Sequence, residues 1–168
     1  MSAVEARAFL DEERTVTCAT IGPRGWPHLM PLWYVLRRTA PAGELGSMVT
    51  PTDHDVQLWA WTYGASQKVR NVERDARATL QIEAGELYHE LRGVMLECEV
   101  AVHRDLETVS ALGREILTRN AAPRGEPPVE LPADAVTAIA KQAAKRVALQ
   151  FVELRRSSWD HRKLGGVY

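Results

Sequence analysis

Residues 59–71, Trp-Ala-Trp-Thr-Tyr-Gly-Ala-Ser-Gln-Lys-Val-Arg-Asn, put a hydroxyl and an ammonium just after an aromatic strand. The run reads as an apolar strand that feeds a short basic helix through Gly64, Ala65 and Ser66. A helix starting there aims free backbone N–H groups, the Ser66 hydroxyl and the Lys68 ammonium at one place. Unpaired amides and the positive end of the helix dipole both favour an anion, so the chemistry suits a phosphate. The aromatic residues just upstream offer an apolar wall for something flat. A phosphate clamp beside an apolar ledge suits a flavin-like cofactor. The same residue types also occur in turns that bind nothing, and the rest of the chain has to decide.

Other chemistries find little footing. The five histidines (His28, His54, His89, His103, His161) show no HxxxH or HExxH spacing, and no cysteine pair stands at zinc-finger distance, so no metal site is expected. Cys18 and Cys98 lie in alternating apolar stretches and read as reduced core residues. GxGxxG and GxxxxGK[ST] are absent, which argues against Rossmann and P-loop readings. A net charge of −1 lacks the basic excess of a nucleic-acid or anionic-membrane binder. No apolar run approaches the roughly 20 residues of a bilayer span. The N-terminus is acidic and amphipathic, unlike a signal peptide, and the expectation is a cytoplasmic protein.

At 168 residues, 45% of them hydrophobic and 26% charged, the chain suits one domain with a real core. A short helix is expected over 4–12 and a strand over 15–21. Gly22-Pro23-Arg24-Gly25 is turn chemistry leading to a second strand over 28–37, in which Pro27 and Pro31 require an edge or a bulge. Residues 39–53 read as a long loop. A third strand covers 56–63, and the helix of 66–75 follows it. Strands over 77–83 and 94–102 alternate cleanly, as in an antiparallel sheet with one covered face. Residues 83–90 read as their solvated hairpin. Two helices follow, with a proline-rich link over 121–132, and a last strand spans 147–154. Residues 155–168 show no core pattern. This order fits a closed or partly closed barrel.

Three segments then carry a family resemblance. Residues 19–29, Ala-Thr-Ile-Gly-Pro-Arg-Gly-Trp-Pro-His-Leu, resemble the hairpin of the split β-barrel flavoproteins related to pyridoxamine 5'-phosphate oxidase, with Trp33-Tyr34 following at the family's spacing. Ser66-Gln67-Lys68, Asn71, Arg74-Asp75 and Arg77 resemble its SxK…NxxRD segment. Residues 158–165, Ser-Trp-Asp-His-Arg-Lys-Leu-Gly, resemble the tail of the class B flavin/deazaflavin oxidoreductases.

The resemblance implies a six-stranded antiparallel split barrel of the FMN-binding type with flanking helices, spanning 1–168 as a single domain. It also implies a homodimer with cofactor sites at the subunit interface. Ser66 and Lys68 would take the cofactor phosphate, with Gln67 between them and Asn71 alongside. Trp61, Thr62 and Tyr63 would run along the ring edge, and Met30, Pro31, Leu32 and Trp33 would line it from the neighbouring strand. Trp159, in a tail of about 155–168 that reaches the dimer interface, would meet the partner's site. Gln67 stands where pyridoxamine phosphate oxidase carries Arg, and the tail lacks that enzyme's Arg-x-His pattern. The resemblance therefore favours coenzyme F-420, the 5-deazaflavin, with FMN as the alternative. The activity implied is hydride transfer to a small unsaturated or quinone-like molecule; the rival is a carrier that holds the deazaflavin without turnover. No catalytic side chain is named, because such cofactors need placement more than acid–base groups. His28 and His161 read first as structural. Arg155, Arg156, Arg162 and Lys163 are either solubilising charge or partners for an anionic cofactor tail.

Overall fold

The computed structural model describes residues 1–38, 56–123, 126 and 129–165. The expected loop of 39–53 lies outside the described residues. Six antiparallel strands form one ring in the order β1-β2-β3-β6-β5-β4: β1 Thr15–Ile21, β2 Pro27–Arg38, β3 Val56–Tyr63, β4 Arg77–Ala84, β5 Arg92–His103 and β6 Arg146–Asp160. Four helices flank it: α1 Ala3–Glu12, α2 Gln67–Arg74, α3 Leu106–Ala121 and α4 Ala133–Ala143. This is the six-stranded split barrel with flanking helices that the sequence called for.

Alternation decides which face each strand buries. Val16 and Cys18, Ala78, Leu80 and Ile82, and Val94, Leu96, Cys98 and Val100 turn into the barrel. Burial pushes the thiols of Cys18 and Cys98 up to about 12, so both are inert core groups. Helix α1 is held by a capping box, with the Ser2 hydroxyl taking the Glu5 N–H and the Glu5 carboxylate taking the Ser2 N–H. It gives Ala6, Phe9 and Leu10 to the core. Arg119 of α3 donates to the carbonyls of Leu10, Asp11 and Glu13, fastening the end of α1.

The ring is not laddered evenly. Strand β2 pairs with β1 over 27–33 and with β3 only over 34–38. Pro27 and Pro31 therefore sit where β2 has one partner, and their missing N–H groups leave no gap in a ladder. Strand β3 pairs with β6 only over 58–63, so β2 and β6 each run on past it. Near residue 63 the barrel splits at a seam between β2 and β3, with α2 beneath it. Near the other end of β3, α1 packs into the barrel.

The C-terminal segment departs from expectation. Strand β6 does not stop at 154; it continues to Asp160, paired with β5 throughout. Leu154 is the extra residue of a bulge, since Cys98 faces Glu153 while Glu97 faces Arg155. A short 3-10 turn, His161–Leu164, follows. The basic residues of this segment are engaged within the chain: Arg156 with Glu153 and Arg162 with Asp160, both at 2.7 Å, Lys163 with Glu5 at 2.7 Å, and Arg155 near Glu97 at 3.8 Å.

Candidate functional site

The seam opens into a cavity of about 480 Å³, within the range of ligand pockets. Its wall includes Pro31, Leu32 and Trp33 from β2, Trp61 and Thr62 from β3, and Lys68 from α2. These six were singled out from sequence, and the fold brings them together. The wall also takes Thr15, Ile116, Leu117, Gln142 and Arg146, which sequence reasoning did not name.

Lys68 is the main electrostatic feature. It is 7% exposed, and its Nζ donates to Thr62 Oγ1 at 3.1 Å; no carboxylate meets it among the described residues. Burial pushes its ammonium below the usual lysine range, opposed only by nearby Cys18. A buried ammonium answered by a neutral hydroxyl is poised for an anion. Ser66 caps α2 without making a side-chain cap bond, and its Oγ is buried without a partner. The Trp61 Nε1–H and the Arg146 Nε–H are likewise buried and unsatisfied. Trp61 and Arg146 belong to the cavity wall and Ser66 does not; two polar atoms left open in one wall need an explanation in a folded protein, and a polar ligand supplies it.

Two predicted neighbours of the phosphate bond to each other and to β1. Asn71 is fully buried; its Nδ2 donates to Thr20 Oγ1 at 2.9 Å and its Oδ1 accepts from Gln67 Nε2 at 2.8 Å. Asn71 thus ties α2 to β1, and Gln67 tightens that tie. Tyr63 packs on Arg146, and Met30 is outside the cavity wall. Trp159 lies across from Gly93, whose added Cβ would stand 2.2 Å from the indole. Twelve residues of β6 lie between it and Arg146, and it is outside the cavity wall.

Helices α3 and α4 back the aromatic side of the site. Val109, Leu112, Ile116 and Ala143 cluster with Val35 and Ala148, and Trp61 packs against them. Gly113 makes this approach possible, because a Cβ there would meet Trp61 at 3.0 Å and Ile139 at 3.1 Å. Trp59 stands apart from the cavity: His103 stacks on it with centroids 4.8 Å apart, and Arg37 lies over it at 4.9 Å. No described helix is long and apolar enough to cross a membrane.

A split barrel with an anion-ready cavity at its seam defines a class of cofactor-binding β-barrels. The profile described as pyridoxamine 5'-phosphate oxidase matches residues 3–150, and the chain belongs to that family. Among solved structures, a conserved hypothetical protein from Mycobacterium tuberculosis is 31% identical, with a TM-score of 0.75, covering 100% of this chain and 90% of its own. A structure described as an F420 reductase is 19% identical with a TM-score of 0.58, covering 90% of this chain and 94% of its own. A pyridoxamine 5'-phosphate oxidase homologue from Listeria innocua is 11% identical with a TM-score of 0.60, covering 95% and 99%. These two are likenesses of fold. No curated protein gives a significant match.

Proposed function

We propose that this protein is a homodimeric oxidoreductase that binds coenzyme F-420 in the seam cavity and serves hydride transfer to a small unsaturated or quinone-like molecule. The observation that carries the reading is Lys68: a buried ammonium with a hydroxyl but no carboxylate, at the start of α2, in a cavity walled by Trp33 and Trp61. When bound, the deazaflavin supplies the hydride chemistry. The chain's own residues bind and place. Lys68 and the Ser66 hydroxyl hold phosphate oxygens; Trp61 and Thr62 supply a ring-sized edge; Pro31 and Leu32 keep water from the opposite wall.

Two features favour F-420 over FMN. Gln67 puts a neutral side chain, turned to Asn71, where the vitamin B6 enzyme carries Arg, so α2 offers one cation near the phosphate. One cation suits the single charge of a phosphodiester better than the double charge of a phosphate monoester. The tail of 158–165 also resembles the deazaflavin subgroup.

The dimer rests on surface apolarity. Leu29, Met30 and Trp33 are 57%, 41% and 51% exposed on the half of β2 that pairs only with β1. A second copy of the chain covers such a face, and sedimentation of the purified protein tests it, a monomer at micromolar concentration refuting this part.

Titration of cofactor-free protein with F-420 and with FMN, followed by fluorescence, tests the cofactor. Tight saturation by F-420 with weaker FMN binding is expected; the reverse order would make FMN the cofactor. Lys68→Ala is expected to weaken the preferred cofactor by about 1.5–3 kcal/mol. Multiple turnover of reduced cofactor against a panel of acceptors separates an enzyme from a carrier.

A further inference from the structure

Arg146 opens β6 directly across from Tyr63. Its guanidinium lies over the Trp61 ring at 4.1 Å and over the Tyr63 ring at 4.2 Å. Contact with two rings fixes the guanidinium and leaves its donors facing outward from the plane's edge. On the edge formed by Nε and Nη2, Nη2 donates to the Gln142 amide oxygen at 3.1 Å, and Nε is buried with no acceptor.

The same edge is filled elsewhere in this chain. Arg37 grips Glu115 through Nε at 2.8 Å and Nη2 at 2.7 Å. Arg77 grips Asp75 through the same pair of atoms, as do Arg156 with Glu153 and Arg162 with Asp160. Each is the fork-on-carboxylate geometry that arginine favours. Arg146 offers that fork inside a cavity and meets only an amide.

Position separates it from Lys68. Thr62 and Tyr63 are consecutive on β3, so their side chains leave opposite faces of the strand. Lys68 is tied to Thr62 on the barrel side, and Arg146 to Tyr63 and Trp61 on the outer side. The one cavity wall includes both cations. One small anion does not serve both cations.

The geometry points to Arg146 as a specificity-determining residue that takes a second oxyanion of the ligand, a carboxylate or phosphate distinct from the group held by Lys68. The inference rests on the seam cavity being a cofactor site. The second oxyanion comes either from the cofactor or from a substrate lying beside it.

The test titrates wild type, Arg146→Gln, Arg146→Lys and Lys68→Ala with three probes: F-420 (phosphodiester plus carboxylates), FMN (one phosphate) and benzoate. Tryptophan fluorescence serves as readout, and thermal melts check folding. If the cofactor brings the oxyanion, Arg146→Gln weakens F-420 at least tenfold and FMN less than threefold. If a substrate brings it, both cofactors bind Arg146→Gln as they bind wild type, while benzoate binding to cofactor-loaded protein is lost. Arg146→Lys keeps the charge without the fork and should recover only part of either loss. Unchanged binding of every probe in folded Arg146→Gln overturns the inference, as does an equal loss of FMN and F-420. Failure of wild type to bind either cofactor defeats the cofactor reading instead. Benzoate on the unloaded protein then decides Arg146 separately, binding that the Gln variant loses upholding it and equal or absent binding overturning it.

Discussion

Around α1 and the end of β6, cations and carboxylates answer one another: Arg92 with Glu12 at 2.9 Å, and Lys163 with Glu5, Arg156 with Glu153 and Arg162 with Asp160 at 2.7 Å. Around the seam above α2, Lys68 meets a hydroxyl and Arg146 an amide oxygen, both at 3.1 Å. The two regions use the same residue types under the same rules of desolvation. What separates them is whether the chain supplies the counter-charge. A paired cation locks the chain to itself, whereas a cation left with neutral partners in a cavity is held ready for something outside the chain.

The largest effect should come from unmaking a pair in the first region. Glu153→Ala removes the carboxylate from a pair whose side chains are 12% and 17% exposed, and should lower unfolding free energy by about 2–4 kcal/mol in urea melts. Cofactor affinity of the folded fraction should stay unchanged. Next in size, Gly93→Ala should cost about 1–3 kcal/mol, because the new Cβ would collide with Trp159. Near-ultraviolet circular dichroism would show the displaced indole.

The second region should respond in the opposite sense. Lys68→Met should raise the stability of the cofactor-free protein by about 1 kcal/mol while removing cofactor binding. The sign follows from burial, which lowers the folded-state pKa of Lys68 below its unfolded value. Protonation therefore favours the unfolded chain. The gain from Lys68→Met is full below the lowered pKa, fades as pH rises from there, and is gone above the unfolded value of about 10.4. Thermal melts from pH 7 to 10.5 would trace it. Cofactor affinity should weaken across the same rise in pH as the ammonium is lost.

The smallest expected effect is Arg162→Gln, with a melting temperature close to that of wild type at neutral pH, since the arginine is half exposed. Its guanidinium holds Asp160 down to about 2. That contribution is present above the ordinary carboxylate value of about 3.8 and is lost as pH falls toward 2, so wild type and variant should converge in acid melts.

Much of this was legible in the sequence, for identifiable reasons. Strands β4 and β5 announced themselves by clean alternation. Lys68 stood out because a strand, a small-residue turn and a basic helix follow one another within thirteen residues. The second half of β6 hid because its inward positions are polar: Arg156 is paired with Glu153, and the Ser158 hydroxyl donates to the Met1 carbonyl at 3.3 Å. Nothing apolar repeats there for periodicity to find. Arg146 was invisible for another reason. An arginine at the start of a strand is ordinary, and its aromatic partners lie more than eighty residues earlier, so only the β3–β6 register brings them together. Asn71 was noticed, yet its partner Thr20 belongs to a strand that local spacing does not reach.

The bulge at Leu154 acts on β6 as one inserted letter acts on a reading frame. Before it, Val147, Leu149 and Phe151 address the barrel; after it, the even-numbered residues do, and Arg155, Ser157 and Trp159 are read on the outside. Deleting Leu154 alone would remove the bulge and leave every later side chain on its present face, opposite its present β5 partner. Deleting Arg155 instead would carry Arg156 outward and Trp159 inward. Leu154 apart, this segment can therefore be shortened in pairs far more easily than by one.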